Sequence, residues 1–240
     1  MRVTSPSGRP VQGFPVNLTA RAVLYSGGHD HDGNRPVGIF EQNHGQTNEN
    51  GEFRTYYYAT QFGGIERIIA SGGNISDSAD LTVRVPGLIL LYDYPDYIKV
   101  GGTQNHHGPP DWQEDHNHFC MPEVANAIFE IAEEYVDSGG ERIYINDLSL
   151  PYGGLFDIEG NWDTPHNSHR KGENADIAGN CVIHPPNRPE ERGRFCRENQ
   201  MINIIDVVAR NLNLQINWSY EYDRQGNPRH HYHFTIRGGR

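Results

Sequence analysis

The spacing of apolar residues changes once along this chain, near Pro86-Gly87. Before that point short apolar runs alternate with turn formers. They are Val16-Asn17-Leu18, then Glu49-Asn50-Gly51 leading into Phe53-Arg54-Thr55-Tyr56-Tyr57-Tyr58, then Ile68-Ile69-Ala70 and Leu81-Thr82-Val83-Arg84-Val85. A period of two sends successive side chains to opposite faces of a strand. Regular short strands divided by Gly-rich turns predict an all-β sandwich over residues 1–86, with no helical period in it.

Beyond the boundary the period lengthens. Val124, Ile128, Ile131, Ala132 and Tyr135 fall at i, i+4, i+7, i+8 and i+11, after Pro122 and before Gly139-Gly140, which predicts an amphipathic helix. A second is expected from about Glu198 to Leu212, with Met201, Ile204, Ile205 and Val208 on one stripe. Strands are expected at Ile143 to Leu148, Leu214 to Tyr220 and His231 to Arg237, the last two forming a hairpin through Asp223-Arg224-Gln225-Gly226-Asn227-Pro228. Residues 87–240 thus read as an α+β domain with an antiparallel sheet.

Charge narrows the partners. A formal net charge of -11 speaks against nucleic acid, whose binding needs a basic face that releases counterions. The longest apolar run, Leu88 to Leu91, is far short of the roughly 20 residues that span a bilayer, so no transmembrane helix is expected. The N-terminus lacks an apolar signal-peptide region, which fits either a cytoplasmic protein or a mature or truncated form. Three cysteines have no zinc-ribbon spacing, and Cys181 and Cys196 flank a Pro-rich loop. One bridge could close that loop, or both residues are free buried thiols.

Candidate chemistry concentrates in two stretches. In the closing strand His231, His233 and Thr235 share one face while Tyr232, Phe234 and Ile236 share the other, and the apolar set must face the core. The second stretch runs from Pro165 to Ile177. Its His169 and Asp176, joined by His233, supply two neutral imidazoles and a carboxylate, the ligand set of catalytic zinc with a position left for water. His231, two residues before a ligand on the same face, would then stand within reach of metal-bound water. On its own a histidine pair on a strand is ordinarily a solvated surface feature, and the second segment is what raises it to a metal site.

Asp147-Leu148-Ser149 with Gly153-Gly154, then His166-x-Ser168-His169-x-x-Gly172-x-x-x-Asp176-Ile177, and finally His231-x-His233, resemble the penicillin-insensitive murein endopeptidases. More distantly they resemble D-alanyl-D-alanine carboxypeptidases and lysostaphin-type endopeptidases. The similarity covers roughly Asp111 to Arg237. It implies a single zinc held by His169, Asp176 and His233, with His231 as the catalytic histidine. His166 and Ser168 stand as groups orienting the site or touching substrate, with a plain loop position as the alternative for His166. The chain departs from the pattern in two places. It lacks a Ser-Gly-Tyr-Arg-like segment of the kind that grips a free carboxylate in the carboxypeptidases, which favours endopeptidase cleavage. Aligned on Arg237, a family histidine would fall at Thr235; aligned on Phe234, His233 remains the ligand, and this alignment is preferred.

Other polar clusters read as structural. Gly28-His29-Asp30-His31-Asp32-Gly33-Asn34 lacks the terminal Glu of a calcium loop and reads as a solvated turn. Asp115-His116-Asn117-His118-Phe119 mimics the closing strand but has no partner segment, and reads as a loop that leads into the domain. No His-Glu-x-x-His or Gly-x-Ser-x-Gly occurs. The expectation is a two-domain extracytoplasmic bacterial protein, an immunoglobulin-like sandwich over 1–86 and a zinc metallopeptidase-like domain over 87–240. Peptidoglycan stem or cross-bridge peptides would be its substrate. The rival is a non-catalytic, zinc-containing extracellular binding or adhesion protein.

Overall fold

A computed structural model describes residues 1–29, 34–100, 117–157, 160–163, 167–181, 193–223, 225–226 and 228–239. The protein is mostly β-sheet, predominantly antiparallel, with two helices among the described residues. Its contacts divide it into two compact units, Met1–Gly27 with His31–Arg84 and Gly28–Asp30 with Val85–Arg240.

In the first unit a four-stranded antiparallel sheet has the order β3-β1-β5-β6, from β1 (Pro15–Ala22), β3 (His44–Gln46), β5 (Gly64–Gly72) and β6 (Ile75–Val83). The short strands β2 (Ile39–Phe40) and β4 (Tyr57–Tyr58) pair with each other. The apolar core is small: Val16, Leu18 and Phe53, with Phe14, Phe40 and Ala70 packed against them. Much of the unit's remaining order is polar. Buried Arg35 donates to the carbonyls of Gly63 at 2.9 Å and Ile65 at 2.8 Å. Buried Glu66 accepts from the Tyr57 hydroxyl and from the Gly38 amide at 3.3 Å. Burying charge is costly unless hydrogen bonds compensate it, and these bonds do so.

The second unit carries a five-stranded sheet of order β12-β13-β11-β10-β8. Its strands are β8 (Tyr97–Lys99), β10 (Ile143–Asp147), β11 (Asn174–Ala178), β12 (Leu214–Tyr222) and β13 (Pro228–Gly238). All neighbours are antiparallel except β8 and β10, which run parallel, so the sheet expected to be antiparallel is mixed at one edge. A two-stranded ribbon, β7 (Ile89–Leu90) with β9 (Phe119–Cys120), forms a separate ladder, with Phe119 bridged to Ser149 just past β10.

One face of this sheet is apolar because alternate residues make it so: Ile216 and Trp218 lie opposite Ile236 and Phe234, and Ala175 and Ile177 continue the row across β11. Helices α1 (Pro122–Asp137) and α2 (Glu198–Asn211) cover that face through Val124, Ile128, Ile131, Tyr135, Met201, Ile205 and Val208. Pro122 starts α1, where its missing N–H costs nothing. The opposite face of the sheet is polar, and the candidate chemistry lies there.

Cys181 and Cys196 form a disulfide, with Cα atoms 4.7 Å apart. Cys120 is buried and unbridged. Burial pushes its thiol up to about 12, so at pH 8 it stays protonated and unreactive. A thiol reagent should find no group in the native protein, and one when it is unfolded without reductant. Between about 8.5, the free-thiol value, and about 12, the folded state holds a proton the unfolded chain has lost. This contribution to stability therefore falls as pH rises through that window; a Cys120→Ala variant should show a flatter alkaline decline.

Candidate metal centre

Sheet register builds the core of the site. Asp176 on β11 lies directly opposite His233 on β13. Directly opposed side chains share a face about 4.5 to 5.5 Å apart at Cβ. The His233 Nδ1 and Asp176 Oδ1 atoms meet at 2.8 Å. On the other flank Asp147 of β10 is opposite Asp176 and accepts from the Asn117 amide at 2.7 Å.

His169 comes from the loop before β11. Its backbone is held at φ 62, a conformation unusual for a residue with a Cβ. The loop is pinned on both sides: Gly154 donates to the Arg170 carbonyl at 2.8 Å, and Met121 donates to the Gly172 carbonyl at 3.0 Å. Gly172 has φ 69, and a Cβ there would strike the Leu88 side chain and the Cys120 backbone. Strain held by surrounding structure is characteristic of functional loops. The fully buried His169 ring places Nε2 3.3 Å from Asp176 Oδ2 and lies edge-on to the His233 ring, with centroids 5.3 Å apart.

Ligand atoms of His169, Asp176 and His233 all lie within 4.8 Å of one another, so this group could hold a metal ion. Donors about 2.0 to 2.1 Å from one tetrahedral ion are separated by about 3.3 Å, which is the separation of His169 Nε2 and Asp176 Oδ2. The Nδ1 to Oδ1 contact of His233 is a hydrogen bond that ion binding would replace, with the ring proton carried on Nε2 instead. On the outer side of the ring, the Asn174 amide lies 3.0 Å from Nε2 and donates to Thr235 Oγ1 at 2.9 Å. With Nδ1 on a metal the ring N–H would sit at Nε2, and the Asn174 amide would orient the imidazole by presenting its oxygen there. The residues present therefore fit a metal.

His231 shares the face. Its Nε2 lies 3.3 Å from Asp176 Oδ2 and 3.4 Å from Glu221 Oε2, the latter from β12. Side-chain exposure rises from 0% at His169 and 5% at Asp176 to 13% at His231, 19% at His233 and 31% at Glu221, so the cluster is closed behind and opens towards β12.

The groups sustain one another's charge. Burial opposes a charged Asp176, yet His169, His233 and His231 together hold it well below the usual carboxylate range. Burial likewise opposes protonation of His169, and Asp176 outweighs it, leaving that ring more basic than usual. For His231 burial is outweighed by Glu221 and Asp176, and its basicity is also raised. Contact with His231 draws Glu221 below the usual range.

Of the residues singled out from the sequence, His169, Asp176, His233 and His231 come together. Ser168 is half-buried beside His169 and, among the described residues, makes no hydrogen bond to the cluster. His166 lies outside the described residues, as do Asp115, His116 and residues 30–33. His118 is a core residue whose Nε2 lies 3.1 Å from the Ile145 carbonyl. His29 packs edge-on against Trp162 at 4.9 Å. Sequence reasoning missed Glu221, Asn174 and Asn117. Alternation along Leu214 to Tyr220, carried one step further, would have placed Glu221 on the polar face. A cavity of about 890 Å³ in the first unit is lined by Phe14, Leu18, Phe53, Ile68 and Ile75, and it offers apolar surface without a metal-ligating group of this kind.

No protein-family model and no curated protein matches this chain. Among the described residues, no helix is long and apolar enough to cross a membrane.

Proposed function

We propose that this chain is a zinc-dependent peptidase that hydrolyses peptide bonds in peptidoglycan, in the manner of the murein endopeptidases its motifs resemble. The observation that carries the reading is the meeting of His169, Asp176 and His233, from separate segments, with His231 on the same open face. Zinc is the metal that two imidazoles and one carboxylate suit when a further position serves catalysis. When bound, it polarises a carbonyl and makes water acidic enough to deliver hydroxide near neutrality.

The chain's own residues do the rest. Asp176 and the two ligating imidazoles bind the ion, and Asn174 holds the outer edge of His233. His231, on the same open face, takes the proton of the attacking water and returns it to the leaving amine. Asp147, set by Asn117, backs Asp176. The absence of an Arg-bearing segment for a free carboxylate favours cleavage within a peptide over removal of its last residue. In this reading the first unit is an immunoglobulin-like module that targets or spaces the enzyme, with no part in the chemistry. The Cys181–Cys196 bridge supports an extracytoplasmic location, since such bonds persist in oxidising compartments.

Zinc-loaded protein incubated with purified peptidoglycan should release fragments whose masses identify a cut peptide bond, and a chelator should stop the release. Retention of one zinc per chain without cleavage of any murein peptide would move the assignment to a non-catalytic binding or adhesion protein.

A further inference from the structure

We infer that Glu221 is the positioning residue that fixes His231, an inference that rests on the peptidase reading of the same site. The observation behind it is an irregularity in the β12–β13 ladder. Tyr220 pairs with Tyr232 and Tyr222 pairs with Pro228, so β12 advances two residues (222 − 220) while β13 covers four (232 − 228). β13 therefore bulges opposite Glu221. His230, inside the bulge, is held at φ 63, and a bulge of this kind re-aims neighbouring side chains. Here it sets the His231 ring between two carboxylates, with Nε2 3.3 Å from Asp176 Oδ2 and 3.4 Å from Glu221 Oε2.

The two carboxylates differ in what else they hold. Asp176 is buried and shared among three histidines, and as a metal ligand its oxygens are committed. Glu221 stands at the rim. Its Oε1 is 3.8 Å from His233 Nδ1, and its Oε2 faces Arg229 Nη1 at 4.0 Å. Once Asp176 serves the ion, Glu221 is the acceptor left to hold the Nε2 edge of the His231 ring. The 3.4 Å contact is not an aligned hydrogen bond, and it is an ion pair only while the ring is protonated. Contacts of this sort tighten when substrate arrives. Glu221 acts through His231 and bonds neither metal nor substrate.

The test uses the full chain with Glu221→Gln and Glu221→Asp, in metal-free and zinc-loaded forms. Three quantities are read: zinc per chain, kcat and KM on a murein peptide, and the ring ¹⁵N resonances of His231, identified by their loss in His231→Gln. For Glu221→Gln, zinc should stay at one per chain and the His231 resonances should move. kcat should fall about 10- to 100-fold, the usual cost of removing a group that orients a catalytic site, with KM within about twofold. Glu221→Asp should recover part of both the resonance positions and kcat. Unmoved His231 resonances in Glu221→Gln would overturn the inference whatever the activity. Moved resonances in a protein whose parent cuts no murein peptide would uphold the Glu221 contact and remove the peptidase reading instead.

Discussion

Zinc uptake and peptide cleavage should disappear together in His169→Ala, whereas His231→Ala should keep one zinc per chain and lose turnover about 10²- to 10⁴-fold, the usual worth of a general acid–base group. The contrast follows from position. His169 is fully buried against Asp176, and removing it leaves the ion two donors and Asp176 without the neighbour that most favours its charge. His231 stands outside the three-ligand group, so its loss leaves the ion's donors intact. Melting curves for both variants guard against loss of fold, and metal analysis beside steady-state rates decides the matter. If His231→Ala cleaves at the parent rate, another group moves the proton; if it loses zinc, His231 is a ligand and the donor set must be redrawn.

The shared face of His231 and His233 was legible in the sequence because period-two alternation in His231-Tyr232-His233-Phe234 fixes which residues lie together once the apolar ones are sent inwards. Both helices were legible for the same reason, since burial requires a stripe and a stripe leaves a period. β6 was not. The stretch Ile75-Ser76-Asp77-Ser78-Ala79-Asp80 buries nothing and owes its strand form to six consecutive pairings with β5. The expected strand from Phe53 to Tyr58 shrinks to Tyr57–Tyr58, because within it only those two residues have ladder partners, Phe40 and Ile39. The parallel β8–β10 pairing joins segments more than forty residues apart, and no local pattern signals it. Glu221 escaped for a subtler reason. Alternation gives the face of a residue, but the bulge that brings β13 against it is a ladder property, visible only when two strands are counted against each other.

Gly193→Ala should cripple cleavage without touching any group that performs chemistry. Gly193 has φ 74, and a Cβ built on it falls far inside van der Waals contact with the His230 carbonyl oxygen, with the His230 Cα at 3.0 Å. No rotamer relieves a clash between a Cβ and a backbone carbonyl, so either the loop or the bulge must move. The loop is not free to do so, because the Gly193 carbonyl accepts from the Gly179 amide at 2.8 Å just beyond β11. The bulge is the softer partner, with His230 already at φ 63. Its displacement carries His231 away from Asp176 and Glu221. His233 is less affected, being locked by ladder pairs to Asp176 and Ser219. Zinc binding should therefore survive, while kcat falls about 10²-fold, the cost typical of a misplacement near 1 Å. Gly226→Ala is the matched control: its φ of 84 imposes the same kind of backbone strain in the β12–β13 turn, yet a Cβ there meets nothing within 4 Å. Comparing kcat and zinc content of the two variants separates strain from displacement. Equal, small losses in both would show that the bulge tolerates the added methyl and that the aim of His231 does not depend on Gly193.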